Sequence, residues 1–536
     1  MRKIFHSLCP ALLLSAMMPL AAHADSYDAN NYKPNKSSSI KISETNLPIV
    51  FLDTKCGGSQ TQVIHKDYRI AVRMKIIDNK NGINYGDTIA HPGQKVDFEG
   101  WIAVKYRGNS SFSNSKKKPY GFKTMETSDV DGKKLKTKIL GMPKDNDWVL
   151  LAPYSDRSMI RDVLMYELAR PYFEYTPRAR HCELILDGTY YGVYIMTERV
   201  RKGKNRLNLD DPGDSGDELT GGYQLEVDRA DEDHIYNSKY HTRDANGQEF
   251  WYNGNVNFQY KHPEYDEMEP SHHVQRQYIE NQIDKMEDAL ASSNFKDPET
   301  GYRKYIDVTS FIDFELSQEV ALNVDGYRLS TNIYKRRDSV DPRFKTALWD
   351  FNIAFGNADY YSGDQTNFWI YQNGKIDYTD PTKAPFWWSR MMEDPEYVKA
   401  LKNRWAEYRH NTYRDEHITA VIDSLVNMLD AKGARERNCN AWKIWDENIW
   451  PVPNWRTVNT WEKEISNLKS WISKRIEWMD KQLEYDPTGV VLPTAEMNKE
   501  IVGYYNLQGL QLPKPQSGIV IVRYKDGTSQ KVVVRQ

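Results

Sequence analysis

Ala347-Leu348-Trp349-Asp350-Phe351-Asn352-Ile353-Ala354-Phe355-Gly356 is the stretch on which the reading of this chain turns. A β-type run, Phe344 to Trp349, delivers Asp350 to its end. Asn352 follows two residues later, and Gly356 lets the backbone turn. Oxygen ligands at i and i+2 beyond a strand can share one hard cation such as Mg²⁺. The same residues would also suit a buried aspartate capping a turn, with Trp349 and Phe351 as core. The surrounding chain has to decide.

Upstream, a helix capped by Thr309 is predicted to run through Phe311, Phe314, Leu316, Val320 and Ala321 and to end near Asn323. Asp325 and Gly326 follow, then strands over Asn332 to Arg336 and Phe344 to Trp349. Asp325 and Asp350 therefore both sit at element ends, joined by a short β unit. Two acids placed that way can converge on one site.

The N-terminal part reads as a half-buried antiparallel sheet, because Tyr68 to Ile77 and Trp101 to Arg107 alternate apolar and polar. The second strand ends in Arg107-Gly108-Asn109-Ser110-Ser111, a glycine turn able to present N–H groups and hydroxyls to an anion. Lys116, Lys117, Lys118 and Lys123 follow, and beside that turn they read as a phosphate-facing edge. Trp148 to Ala152 reads as a strand. A helix capped by Ser155 or Asp156 is expected to reach Arg170, with Arg161 and Asp162 off its apolar stripe. Asp187-Gly188-Thr189 marks a hairpin whose second strand delivers Glu198. Tyr223 to Asp228 alternates and puts Gln224, Glu226 and Asp228 on one face. Residues 240–272 read as an irregular, aromatic substrate loop or lid. Helices are expected from Val274 to Ala291 and over most of Asp394 to Leu483, and short strands in the last 40 residues. The class is α+β.

The first 24 residues read as a secretory signal: Arg2 and Lys3, an apolar run to Ala22, then Ala22-His23-Ala24. No later segment is long and apolar enough to span a bilayer. Without Arg2 and Lys3 the net charge moves from −3 to −5, which argues against nucleic acid as a partner. Cys56, Cys182 and Cys439 give an odd count and no zinc spacing; a Cys56–Cys182 bridge or a plain buried thiol at Cys182 both fit. The 15 Trp, 35 Tyr and 16 Phe suit either a large aromatic core or a glycan-binding surface. The expected organisation is a signal over 1–24, a polar leader over 25–45 and a main domain over 46–485. A linker over 486–497 and a small β module over 498–536 complete it. The main domain is β-rich over 46–230 and mostly helical over 273–485.

As an ordered set, several motifs resemble the CotH kinase family of atypical protein kinases. They are Arg107-Gly108-Asn109-Ser110-Ser111, Lys118-Pro119-Tyr120 with Lys123, and Asn146 to Leu150. Asp156-Arg157-Ser158, Arg161-Asp162, Gly192-Val193-Tyr194 with Glu198, Gly221-Gly222-Tyr223 and Asn323 to Gly356 complete the set. The resemblance covers roughly residues 47–480. It implies a divergent kinase-like fold that binds ATP with Mg²⁺ or Mn²⁺ and phosphorylates Ser or Thr of a protein acceptor. It implies Asp350 as principal metal ligand, with Asn352 and Asn332 as partners, and Asp325 as the acid at the acceptor hydroxyl. Arg107, Ser110, Lys118 and Lys123 would face the phosphates, and Glu198 would pair with such a lysine. Family members often carry Asp where this chain has Asn352, so a pseudokinase stays open. A non-catalytic surface module for glycan or protein and a metal-dependent hydrolase stay open too. The tail, Ile501 to Val534, resembles the sorting-type β modules of exported gram-negative proteins. Export to the periplasm, cell surface or medium is the expectation.

Overall fold

Val72, Met74 and Ile76 are buried while their neighbours are less so, the period of two that a strand imposes. Strands of this kind build the N-terminal part of the structure, a computed structural model. It describes residues 39–241, 255–377, 379–445, 447–487, 501–506, 511–515, 518–524 and 529–534. The predicted signal, the leader before residue 39, the linker beyond residue 487 and the lid over 242–254 lie outside the described residues.

Nine strands fill the first part: β1 (Ile49–Asp53), β2 (Ile70–Ile77), β3 (Val96–Tyr106), β4 (Tyr120–Met125), β5 (Thr137–Ile139), β6 (Met142–Asp145), β7 (Asp147–Leu151), β8 (Ala179–Leu186) and β9 (Thr189–Glu198). Seven of them close into a barrel, β1-β2-β3-β4-β7-β9-β8, with β5 and β6 forming a side hairpin. The expected N-terminal antiparallel sheet is present, and it closes on itself. β1 pairs in parallel with β8, Ile49 opposite Glu183, and this one parallel pair shuts the barrel. The β8–β9 hairpin is as predicted: Asp187 (φ 50°) and Gly188 (φ 79°) both adopt the left-handed conformation that a tight hairpin turn needs.

A second sheet, ordered β11-β12-β10-β13-β14, lies beyond the barrel in sequence. Its strands are β10 (Tyr223–Val227), β11 (Ile235–His241), β12 (Asn255–His262), β13 (Thr331–Lys335) and β14 (Phe344–Ala347). Part of the predicted irregular lid is therefore regular: β12 hydrogen-bonds to β10 and β11, so backbone pairing outweighed its weak alternation.

The helices, among the described residues, are α1 (Ser110–Ser113), α2 (Arg161–Ala169), α3 (Gly216–Leu219), α4 (Tyr265–Met268), α5 (His273–Ala291), α6 (Val308–Ala321), α7 (Phe386–Met391), α8 (Pro395–His410), α9 (Asp415–Asp430), α10 (Ala434–Trp442) and α11 (Trp461–Gln482). None is long and apolar enough to cross a membrane. Two starts differ from expectation. Asp156 does not cap a helix; its carboxylate takes Ser158 N, Ser158 Oγ, Arg161 N and the Arg161 guanidinium, and α2 begins at Arg161. Asp307, not Thr309, caps α6 by accepting Ser310 N. A four-stranded antiparallel sheet, β16-β15-β17-β18, is built from β15 (Ile501–Tyr505), β16 (Gln511–Leu512), β17 (Gly518–Tyr524) and β18 (Ser529–Val534).

Two apolar cores result. One fills the barrel; the other packs the second sheet against α2, α5, α6, α8 and α11. Segments late in the chain also enter the barrel core: Trp442, Ile444, Ile449 and Val452 are buried there. Among the described residues Cys56, Cys182 and Cys439 are unbridged; Cys182 is a buried thiol, pushed up to about 12 by its apolar surroundings.

Helix α6 runs through the larger core, buried from Phe311 to Ala321. Its acids are each satisfied: Asp313 by Arg404 at 2.6 Å, Glu315 by the Tyr397 hydroxyl at 2.6 Å, and Glu319 by Arg475 at 2.9 Å. Glu315 has no cation, so burial pushes it from 4.5 to about 8. Between those values the folded chain holds a proton that the unfolded chain has released, so stability falls as pH rises through this window. Glu315→Gln is expected to flatten the loss between pH 5 and 8 by on the order of a few kcal/mol, measured as urea midpoints. Glu287 and Asp313, also raised by burial, leave a residual slope of the same sign.

Candidate active site

The loop after β14 turns sharply because Asp350 itself is left-handed (φ 66°), a conformation that costs a non-glycine residue about 1–2 kcal/mol. Four polar contacts offset that cost. Asn323 donates to the Asp350 carbonyl at 3.0 Å, and Phe351 N–H donates to the Asp162 carboxylate at 2.7 Å. Arg161 Nε donates to the Ala354 carbonyl at 3.1 Å, and Phe355 N–H to the Ala321 carbonyl at 2.7 Å. Arg161 is in turn held by Asp156 (2.6 Å) and Glu464 of α11 (2.8 Å). The loop ends at Gly356 (φ 78°), where a Cβ would lie 2.6 Å from the Trp471 ring. Arg161 and Asp162, read as lying off an apolar stripe, are both buried and serve this loop.

These contacts fix the loop that presents Asp350 at the surface of the candidate site. Asp350 stays in contact with water, yet burial pushes its carboxyl to about 6. Arg107 opposes that rise, while Asp325 and Glu226 add to it. Asp325 thus lies near enough to Asp350 for the two charges to interact. Asp325 follows α6, whose left-handed end at Leu322 (φ 41°) turns the chain toward the cleft. Its Oδ1 accepts from Arg328 at 2.7 Å and from the Tyr360 hydroxyl at 3.2 Å.

Arg107 lies against the Trp349 ring, 5.3 Å from its centroid, and burial lowers its pKa. Arg199, Arg229 and Lys261 add positive charge around the same acids. Asn332 sits opposite Glu226 on neighbouring strands. Its amide accepts from Gln224 at 2.8 Å and donates to Glu226 at 3.3 Å. Glu226 is also 3.4 Å from Lys261. Glu226, Lys261, Arg199 and Arg229 are not among the residues the motifs single out. The β10 alternation that puts Glu226 on one face with Gln224 and Asp228 is the signal that could have found Glu226.

Other expected residues lie differently. Lys118 is buried and donates to the Phe112 carbonyl, with its ammonium 4.5 Å from the Phe112 ring centre. Lys117 is buried and bonded to Asn438 at 2.8 Å, and Lys116 pairs with Glu447 at 2.7 Å. The lysine run therefore ties the Gly108 turn and β4 to the rest of the fold and does not form an open phosphate edge. The expected lysine partner of Glu198 is also corrected. Glu198 takes Arg178 at 3.0 Å and lies 3.9 Å from Arg206, while Lys123 stands opposite Asp147 in the β4–β7 register. Ser110 opens the single turn α1, and Asn109 beside it donates to Asp231 at 2.9 Å. Asn352 is half-buried next to Asp350, its carbonyl accepting from Asn357 at 2.9 Å.

The charges of Asp325 and Glu226 oppose ionisation of Asp350, a repulsion that a nearby cation would relieve. Among the described residues no group of three or more His, Cys, Asp or Glu is gathered closely enough to bind a metal. Asp350 would thus need amide oxygens, those of Asn352 and Asn332.

Asp325 beyond a buried helix and Asp350 beyond a strand hairpin, with Arg107, Arg199, Arg229 and Lys261 nearby, are compatible with a kinase-like protein. The family model described as CotH kinase protein matches residues 104–479, and the chain belongs to the CotH kinase family. No curated protein matches it significantly.

Asp162 is buried beside Asp350, and burial foremost, then that neighbour, pushes it up to about 8. Near neutral pH it is largely an uncharged acceptor for Phe351 N–H. Asp162→Asn keeps an acceptor and is expected to unfold within about 1 kcal/mol of the parent in urea. Asp162→Ala orphans a buried N–H and is expected to lose about 1–3 kcal/mol.

Proposed function

We propose that this chain is an exported protein kinase that moves the γ-phosphoryl group of ATP to a Ser or Thr hydroxyl of a surface or coat protein. The observation that supports the reading is that Asp325 and Asp350, at the ends of separate elements, lie near enough for their charges to interact, with Arg107 beside Asp350. Phosphoryl transfer asks a protein chiefly for positioning and charge neutralisation. Arg107, with Arg199 and Lys261 nearby, would bind and orient the phosphates. Asp350, Asn352 and Asn332 would hold Mg²⁺ or Mn²⁺, which when bound offsets charge on the phosphate oxygens.

Asp325 would orient the acceptor. Its Oδ1 is fixed by Arg328 and Tyr360, which leaves Oδ2 for the acceptor hydroxyl. The hydroxyl oxygen forms the new bond to phosphorus, the bond from the γ-phosphorus to the bridging oxygen breaks, and ADP leaves. Asp325 takes the hydroxyl proton and passes it to water. A second reading, nucleotide binding without transfer, rests on Asn352, which gives the site one negative charge fewer than an aspartate would. The signal-like leader and the sorting-type tail support delivery outside the cytoplasm.

ATP with Mg²⁺ at about 100 times the dissociation constant is expected to add about 2.7 kcal/mol to unfolding stability. Asp350→Ala should lose that gain. Asp325→Asn should keep it while lowering transfer of labelled phosphate by about 10²–10⁴-fold. Stabilisation with no labelled protein, under any acceptor supplied, would favour the binding-only reading. No stabilisation of a folded chain would overturn both.

A further inference from the structure

A hollow of about 210 Å³ opens away from Asp350, where the segment after β9 meets the end of β13. Its lining holds four cationic side chains, Arg178, Lys204, Arg206 and Arg336, with Tyr334 and the carboxylate of Glu174. Glu198 lies under Arg178 and Arg206. Just outside the lining one further acid and one further base cancel: Asp145 is 3.4 Å from Arg206, and Lys345 is 2.6 Å from Glu174. The hollow therefore carries an excess of two positive charges.

The donors are pre-placed. Arg206 is almost wholly buried and is fixed by its bonds to the carbonyls of Arg199 and Asp147. Arg336 is held by Glu174 at 2.8 Å, and the Tyr334 hydroxyl donates to the same carboxylate at 3.2 Å. Among the described residues, the Nε–H of Arg336 is buried and has no hydrogen-bond acceptor, while Arg206 Nε makes no hydrogen bond but lies 3.4 Å from Asp145 and 3.9 Å from Glu198. Buried donors left without acceptors are costly, and convergent guanidinium groups with a surplus of charge suit a tetrahedral dianion.

We infer that this hollow, lined by Arg178, Lys204, Arg206 and Arg336, is a binding site for a phosphate group, supplied by free phosphate or by a phosphorylated side chain. None of its lining residues belongs to the Asp350 cleft. Tyr334 and Asn332 point to one face of the same strand, two residues apart. An occupied hollow would brace the strand that carries Asn332, giving phosphate a route to act on the cleft.

The test is thermal unfolding of the full chain with inorganic phosphate, with chloride at matched ionic strength, and with a phosphoserine peptide beside its unphosphorylated twin. A saturable rise in melting temperature with phosphate or phosphopeptide is expected in the parent and in Asp350→Ala. Lys204→Gln, at an exposed position, and Arg336→Gln should each bind about tenfold more weakly, the scale of one charge-assisted hydrogen bond. Tighter binding of the phosphopeptide names a phosphorylated side chain as the source, and equal or weaker binding names free phosphate; either upholds the site. No rise, an equal rise with chloride, or an equal rise in both variants overturns it. Because Asp350→Ala serves as a positive control here, failure of nucleotide binding leaves the result readable.

Discussion

The bond from Phe351 N–H to the Asp162 carboxylate is the constraint on which the site depends. Asp350 adopts a left-handed backbone conformation that L-residues other than Asn and Asp seldom visit. The loop stays so because α2 and the turn after α6 grip it from two sides, through Asp162, Arg161 and Asn323. Arg161 extends the grip to α11 through Glu464. A strained acid is held by buried groups that never touch a substrate. The loop's orientation is therefore a property of the core, not of the surface.

Electrostatics in the cleft follow from the same packing. Asp350, Asp325 and Glu226 repel one another, and Arg107 is stripped of water beside them. Such an arrangement is poorly compensated by itself and well suited to partners that bring the opposite charges: a cation for the acids, phosphates for the guanidinium groups. The buried acids of α6 behave differently. Each is closed off by a dedicated partner, which marks them as supports of the fold.

Much of this was legible in the sequence. Alternation revealed β2, β3 and β10, a short apolar run revealed β7, and the Asp187-Gly188 turn revealed the β8–β9 hairpin. The spacing of Asp325 and Asp350 around a short β unit pointed to two acids near one another, and their charges do interact. What stayed hidden depends on distant partners. Closure of the barrel rests on pairing Ile49 with Glu183, which no local pattern encodes. The lysine run after the Gly108 turn looked like a phosphate edge because its partners, Asn438 and Glu447, lie more than 300 residues away. Asp156 looked like a cap because its true partner, Arg161, is itself buried by α11. Glu226 reads as one of three polar residues on a strand face until β13 brings Asn332 beside it.

The plug of the barrel has a consequence for how the chain reaches its native state. Asn438 accepts from Val193 N–H at 3.0 Å, and Trp442 donates to the Tyr191 carbonyl at 2.8 Å, beside Gly192, where a Cβ would lie 2.4 Å from Asn438. Arg437 pairs with Glu183 at 2.7 Å. The barrel strands are complete by Glu198, yet part of their interior is supplied by residues beyond 430. During synthesis from the N-terminus the barrel must wait, incompletely filled, until most of the chain has appeared. High contact order of this kind slows folding and leaves apolar surface uncovered in the interval. The two halves thus form one cooperative unit, and a cut between them would leave neither with a finished core.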